Sequence, residues 1–479
     1  MAFFDRPISD VAADIQSGKT ASRDVVARAL ELIEKRDGDI NAFITVCGEA
    51  AQKRAEAVDA LSPDQKKAMP LCGIPVAIKD NICTNGIRTT CASRMLENFV
   101  PPYSAAVVEA LEAAGAVVVG KTNLDEFAMG SATENSFFGP THNPHNHKKN
   151  PGGSSGGSAA AVGAGFVPAA FGTDTGGSVR QPSSHCGVAG MKPTYGRVSR
   201  YGAAAFASSL DQIGPMASDV RDIGLLLSVI SAPDRRDPTC AGKQFVDSPD
   251  FYRGDVSDLR VGVPAEYFCD GLSSEVRAAV EASIEALKNK GAKIVDVSLQ
   301  NLKYAVAAYY IISAAEASSN LARYDGVKFG FRAEGAKSLT EMYEKTRSQA
   351  FGPEVKRRIM LGTYALSSGY YDAYYLKAAR VRALITSDFT NAFGSCDVIV
   401  SPAAPVPAFD IGQTANDPLQ SYLMDIYTVS ANLAGIPALV VPCPSSPPPC
   451  GSPIGVQFMA PKWREDLLLR AGCAIGDGA

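Results

Sequence analysis

The sequence predicts an α/β protein in which helices cover both faces of a β-sheet, and three observations carry that prediction. Short apolar runs rich in β-branched residues, such as PVAIK at 75–79, AVVVG at 116–120 and VIVSP at 398–402, are separated by segments of helical period. Runs without polar alternation are what a strand buried on both faces requires. The 479 residues are 46% hydrophobic and 20% charged, an ordinary globular composition with material for a large core. No stretch offers the roughly 20 uninterrupted apolar residues that a membrane span needs.

Taken in order, SRDVVARALELIEKRD places Val25, Val26, Ala29, Leu30 and Ile33 on one face behind a Thr20/Ser22 cap region, which predicts an amphipathic helix. AFITV and GIPVAIKDNI then read as strands, AAVVEALEAAG as a helix and AVVVG as a third strand. From about residue 129 to 216 the chain is rich in Gly, Ser and Thr without being of low complexity. Residues 234–395 are more helical and charged, with VRAAVEASIEALKNKG and YYLKAARVRALITSDF. VIVSPAAPVP and ALVVPCP, within about 396–460, read as late strands able to rejoin the first sheet, and PCPSSPPPCGSP reads as a short loop. No internal repeat is present.

Forty-six Lys plus Arg against 50 Asp plus Glu gives a formal charge of −4 with no long basic run, which argues against autonomous nucleic-acid binding. MAFFDRPISD has no positive segment leading into an apolar one, so a cytoplasmic protein is expected. Eleven scattered cysteines without a CxxC pair fit free thiols in a reducing compartment.

Four patterns suggest chemistry and fail on physical grounds. GAVVVGKT at 115–122 matches a phosphate-binding loop in letters, but Ala116 to Val119 read as the strand itself, leaving Lys121 and Thr122 as loop residues. THNPHNHKKN holds His142, His145 and His147, yet nothing nearby completes a metal ligand set, so no metal is expected. His185, in the turn-like QPSSHCG, is the one remaining histidine for a Ser-His-Asp triad. The glycines of GGSSGGSAAAVGAG do not form the fingerprint of a dinucleotide fold.

What remains is a lysine and two serines. Lys79 closes PVAIK, where burial would disfavour its charge and yield a neutral amine base, or where its stem would carry the charge out to water. Ser154 lies in GGSSGG and Ser178 in DTGGS; each could be a turn residue. Alternatively, the N–H groups of Thr175, Gly176, Gly177 and Ser178 could converge on one oxygen, as an oxyanion hole does.

VAIKDNI, GGSSGGSAAAVGAG and GTDTGGSVRQPSSHCGVAGMKPT, with Lys79, Ser154 and Ser178 at the matching spacing, resemble the amidase signature family. The resemblance is strongest over about residues 70–220 and implies one amidase domain over 1–479 built on a large mixed β-sheet. KTNLDEFAMGSATENSFFGPTHNP, KPTYGRVSRYG and AFASSLDQIGP are most similar to those members that work as the glutaminase of a three-subunit, tRNA-dependent amidotransferase. The resemblance implies Ser178 as nucleophile, Ser154 after a cis peptide as proton bridge, and Lys79 as base. It implies an oxyanion hole of backbone N–H groups from Thr175, Gly176 and Gly177. For the substrate glutamine it implies Arg358 on the α-carboxylate, Asp425 and Tyr309 at the amino end, and Ser131 touching the substrate or bracing the site. It implies no cofactor in this chain, ATP and Mg²⁺ at a partner, two partner subunits in a heterotrimer, and tRNA held mainly by a partner. A stand-alone hydrolase of another small amide and a non-catalytic scaffold are the alternatives. His145, His185 and the Pro-rich 443–453 segment depart from the family's usual pattern.

Overall fold

The computed structural model describes residue 4 and residues 6–268, 271–413, 418–444 and 451–476. Eleven strands form one sheet: β1 Phe43–Val46, β2 Pro75–Lys79, β3 Val117–Thr122, β4 Ala169–Asp174, β5 Ala189–Lys192, β6 Gln212–Ala217, β7 Arg260–Pro264, β8 Lys293–Val297, β9 Val398–Pro402, β10 Ala438–Pro442 and β11 Gly455–Met459. Their order is β1-β3-β2-β4-β6-β5-β10-β11-β9-β7-β8. The pairs β3/β2, β2/β4, β9/β7 and β7/β8 are parallel and the others antiparallel, so the sheet is mixed. The late strands enter it through β10, which pairs with β5 from Ala438↔Lys192 to Val440↔Gly190.

Alternation along the strands gives each face its own core. Val76, Ile78, Val118 and Phe171 pack on one side, with Ile223 and Leu227 of helix Val220–Ile230 and Leu468 of helix Glu465–Gly476. Ala77, Val117, Val119 and Ala170 pack on the other, under Val26 and Ile33 of helix Ser22–Arg36 and Ala159 to Val162 of helix Gly156–Gly163. Among the described residues no helix is long and apolar enough to cross a membrane, and Cys47, Cys72, Cys83, Cys91, Cys186, Cys240, Cys396 and Cys443 are free thiols.

Several local expectations are corrected. β3 runs on through Lys121 and Thr122, both fully buried, so these are strand residues and not loop residues. Lys121 donates to Ile82 O at 2.8 Å and Thr89 Oγ1 at 2.7 Å and lies 3.3 Å from the Asp80 carboxylate, which commits its charge to the core. The first amphipathic helix is not capped by Thr20 or Ser22; Asp59 accepts Ser22 N–H at 2.7 Å and Arg23 N–H at 3.0 Å, a cap supplied from another helix. QPSSHCG is not a turn: helix Arg180–Cys186 ends at Gly187, whose φ of +67° forms a left-handed cap. Residues 234–395 contain the parallel pair β7/β8 besides their helices. Residues 445–450 of the Pro-rich stretch lie outside the described residues.

Candidate active site

The site forms where the parallel strands β2 and β4 end side by side, the position at which the carboxyl ends of strands open a crevice. Register pairs Ala77↔Ala170 and Ile78↔Phe171 set Lys79 level with Gly172. Alternation turns Lys79 to the face of Ala77, where helix Gly156–Gly163 packs. Its amine therefore meets the two serines that precede that helix. Lys79 Nζ lies 2.8 Å from Ser154 Oγ, 2.8 Å from Ser155 Oγ and 2.9 Å from Thr173 Oγ1. The peptide Gly153–Ser154 is cis. A Cβ on Gly172 would come within 2.7 Å of Ser155 Oγ, so the bare backbone of β4 is what admits the serine pair.

Lys79 is wholly buried, and burial pulls its amine from the ordinary 10.5 down to about 7 against the opposing pull of Asp125, Asp174 and Asp211. The snorkelling alternative is thereby removed. Ser155 donates to Thr173 O at 3.2 Å, which leaves its oxygen to accept from Lys79. Ser178 is less buried than Lys79 or Ser154, at 9% exposure against 0%, so the pair sits inside and Ser178 at the accessible end. The backbone holds Ser178 nearby through Ser155 N–H donating to Ser178 O at 3.1 Å. No hydrogen bond joins the hydroxyls of Ser154 and Ser178 among the described residues.

The turn from Thr175 to Ser178 is shaped by a buried ion pair on either side of it in sequence. Arg180 grips Asp174 through Nε at 2.9 Å and NH2 at 3.0 Å, and also reaches Thr428 O, Gln457 Oε1 and Asn432 Oδ1. Burial pushes the Asp174 carboxyl up, but Arg180 overcomes that and holds it down at about 2. The carboxylate in turn accepts Gly177 N–H at 2.9 Å and Val179 N–H at 3.2 Å. Gly177 N–H is thus engaged by Asp174. Gly177 has φ +139°, and a Cβ there would fall 2.3 Å from Thr428 Oγ1. The same hydroxyl donates to Gly176 O at 2.5 Å.

Beside this turn two opposite charges meet a cluster of aromatic rings. Asp425 accepts from Ser131 Oγ at 3.0 Å and from Tyr310 OH at 2.8 Å, and burial pushes its carboxyl up to about 6. Arg358 pairs with Glu354 at 2.8 Å and lies over the rings of Tyr310 and Tyr422, at 5.1 and 5.3 Å. Those two rings stack at 4.1 Å. Tyr309 presses on Gly176, where a Cβ would lie 2.5 Å from its hydroxyl. Lys79 and Ser154 are therefore in direct contact, as are Ser131 and Asp425, while Arg358 and Asp425 are linked through Tyr310. Ser155, Thr173, Tyr310, Glu354 and Tyr422 were not anticipated. The second serine of GGSSGG, the YY pair and the helical i,i+4 spacing of Glu354 and Arg358 were the signals available for three of them.

The family profile described as Amidase matches residues 24–469. The chain is 52% identical to the A component of the glutamyl-tRNA(Gln) amidotransferase of Desulforapulum autotrophicum, covering 99% of this chain and 97% of that one. It is also 52% identical to the protein of the same description from Koribacter versatilis, over 96% of each. Among solved structures, the A component of the glutamyl-tRNA(Gln) amidotransferase from Thermotoga maritima superposes with a TM-score of 0.80 at 43% identity, covering 99% and 94% of the two chains. The native peptide amidase of Stenotrophomonas maltophilia superposes with a TM-score of 0.82 at 28% identity, covering 99% and 96%.

Proposed function

The chain belongs to the amidase family, and from that membership we propose that it is the glutaminase subunit of a glutamyl-tRNA(Gln) amidotransferase. It hydrolyses glutamine to glutamate and ammonia. A partner subunit uses the ammonia to convert Glu-tRNA(Gln), Asp-tRNA(Asn) or both to the amidated forms. The observation that carries the chemistry is the 2.8 Å contact between the buried Lys79 amine and Ser154 Oγ.

In this mechanism Ser178 Oγ attacks the side-chain carbonyl carbon of glutamine. Its proton passes to Ser154, whose own proton passes to neutral Lys79. The negative charge that develops on the carbonyl oxygen is met by N–H groups of the Thr175–Ser178 turn. Lys79 then returns the proton through Ser154 to the departing nitrogen, the C–N bond breaks, and ammonia leaves with Ser178 acylated. Water, activated by the same relay, releases glutamate and restores the serine.

Arg358 receives the α-carboxylate, while Asp425, braced by Ser131 and Tyr310, receives the amino group; Tyr309 closes the side beside Gly176. A substrate lacking an amino group would leave the buried Asp425 with hydroxyl partners only, whereas Arg358 already has Glu354, which separates this reading from a hydrolase of apolar amides. The whole chain acts as one amidase unit in a cytoplasmic heterotrimer, with ATP, Mg²⁺ and tRNA held by its partners.

The test is glutamate release by the chain purified with its co-expressed partners. Ser178→Ala should lower the rate by about 10⁴-fold or more, with an unchanged melting temperature. Release near the wild-type rate would remove Ser178 as nucleophile, and a wild-type complex that leaves glutamine intact would end the glutaminase reading.

A further inference from the structure

One short segment touches both ends of the charged cluster. Ser131 holds Asp425. Five residues earlier, Glu126 is 4% exposed and accepts hydrogen bonds from Ser93 Oγ and from Gly352 N, the latter at 2.8 Å. Gly352 is the cap residue of helix Pro353–Leu366, which carries Glu354 and Arg358 on its first turns. The contact is tight from both sides: a Cβ on Gly352 would lie 2.4 Å from Glu126 Oε2. Between the two anchors, Phe127 and Ala128 take φ of +49° and +63°, a left-handed turn of non-glycine residues. That turn drives the Phe127 ring against Phe351, 5.6 Å away, and Tyr324, 4.8 Å away. Ser93 donates to the other Glu126 carboxylate oxygen and also reaches Ala350 O at 3.4 Å. Asp125, next in the chain, accepts Thr133 N–H at 2.9 Å and Glu134 N–H at 3.1 Å, so the segment is anchored in the layer around Lys79.

We propose that Glu126 is a positioning residue for substrate recognition. It fixes the start of helix Pro353–Leu366 to the same segment that holds Asp425, and so sets the separation of the cation and anion that take the two ends of an α-amino acid. The proposal rests on the reading of Arg358 as the partner of the glutamine α-carboxylate. Glu126 touches neither substrate nor Ser178, so it governs how well glutamine is held and leaves the chemical step alone. Burial pushes its carboxyl up to about 7, and an amide in its place can still accept from Gly352 N–H, which makes Gln the conservative replacement.

The experiment measures glutamate release by the assembled complex for Glu126→Ala, Glu126→Gln, Gly352→Ala, the Glu126→Ala/Gly352→Ala double variant and Arg358→Ala. Glu126→Ala should raise KM for glutamine about tenfold with kcat within about twofold, and Glu126→Gln should stay near wild type. Gly352 has an ordinary φ of −69°, so its Ala variant is strained only against Glu126 and should raise KM in the same way. The double variant should be no worse than Glu126→Ala, since the clash goes with the carboxylate. If Glu126→Ala fails to fold, Gly352→Ala still tests the contact. A raised KM in Arg358→Ala with unmoved KM in Glu126→Ala or Gly352→Ala overturns the proposal alone, as does a fall confined to kcat. An unmoved KM in Arg358→Ala overturns the clamp on which it rests.

Discussion

The depressed pKa of Lys79 makes a quantitative prediction about rate against pH. Burial takes the amine from 10.5 to about 7, a difference worth about 5 kcal/mol at roughly 1.4 kcal/mol per pH unit. The mechanism needs the neutral form, so kcat should follow the deprotonated fraction: about half at pH 7, about a tenth at pH 6 and about nine tenths at pH 8. Asp425, which burial holds at about 6, titrates in a neighbouring range, but in the proposed mechanism it meets the substrate amino group, so its protonation should appear in KM. The assay is initial-rate glutamate release between pH 5 and 9 by the assembled complex, with recovery of activity after return to pH 8 as the control for unfolding. A kcat limb with a midpoint near 7 is expected, together with a fall of several orders of magnitude in Lys79→Ala. A midpoint below about 5, or a Lys79→Ala variant that keeps both the rate and the limb, would show that some other group takes the proton. Stability carries the same signature with its own sign. Between pH 7 and 10.5 the unfolded chain binds a proton at this lysine that the folded chain does not, so stability rises with pH across that window. Lys192, which burial also holds at about 7, adds a parallel contribution, so kcat is the cleaner measure.

Two further substitutions test the frame around the nucleophile. Gly177→Ala forces a side chain into φ +139° and against Thr428 Oγ1 at 2.3 Å; it should cost about 2–4 kcal/mol in chemical denaturation and abolish activity, and a neutral result would mean the turn is not held as described. Arg180→Met strands the buried Asp174 carboxylate and should cost about 3–5 kcal/mol near neutral pH. Asp174 is now held at about 2, so its contribution to stability is intact above pH 4 and lost on acidification toward 2. In the variant the largest downward pull is gone and burial pushes that carboxyl up against Lys192, Asn432 and the backbone N–H groups only, so the deficit measured at pH 8 should shrink at pH 5; a deficit that grows with acid would contradict the assignment.

The sequence by itself determined the groups that form the centre of the site. Lys79, Ser154 and Ser178 stand out as a charged residue closing an apolar strand and serines set among glycines, and it is their joint spacing that matches the family resemblance. Those glycines answer close approaches from elsewhere in the chain, as at Gly172 beside Ser155, Gly176 beside Tyr309 and Gly177 beside Thr428. The α/β class was equally legible, because burial on both faces of β2, β3 and β4 imposes continuous apolar runs. The edge pair β7/β8 was less so; the burial of β8 is partial, and its KIVDV alternates too weakly to stand out in a helical region.

Tertiary structure decided what those residues can do. Lys79 stays in the core because helix Gly156–Gly163 lies over its strand face and the segment leading into that helix supplies two hydroxyls, a matter of packing across 75 residues of chain. Tyr310, 115 residues from Asp425, is the tyrosine that reaches its carboxylate, while Tyr309 turns to Gly176. Gly177 N–H is drawn to Asp174 by the local turn, but that carboxylate is ionised because Arg180 is itself held by Thr428, Asn432 and Gln457. Spacing along the chain cannot encode such choices, since they depend on which elements lie against one another. A periodicity records only whether a face is buried, whereas the direction of a hydrogen bond and the charge of a buried group depend on the partner that the fold delivers.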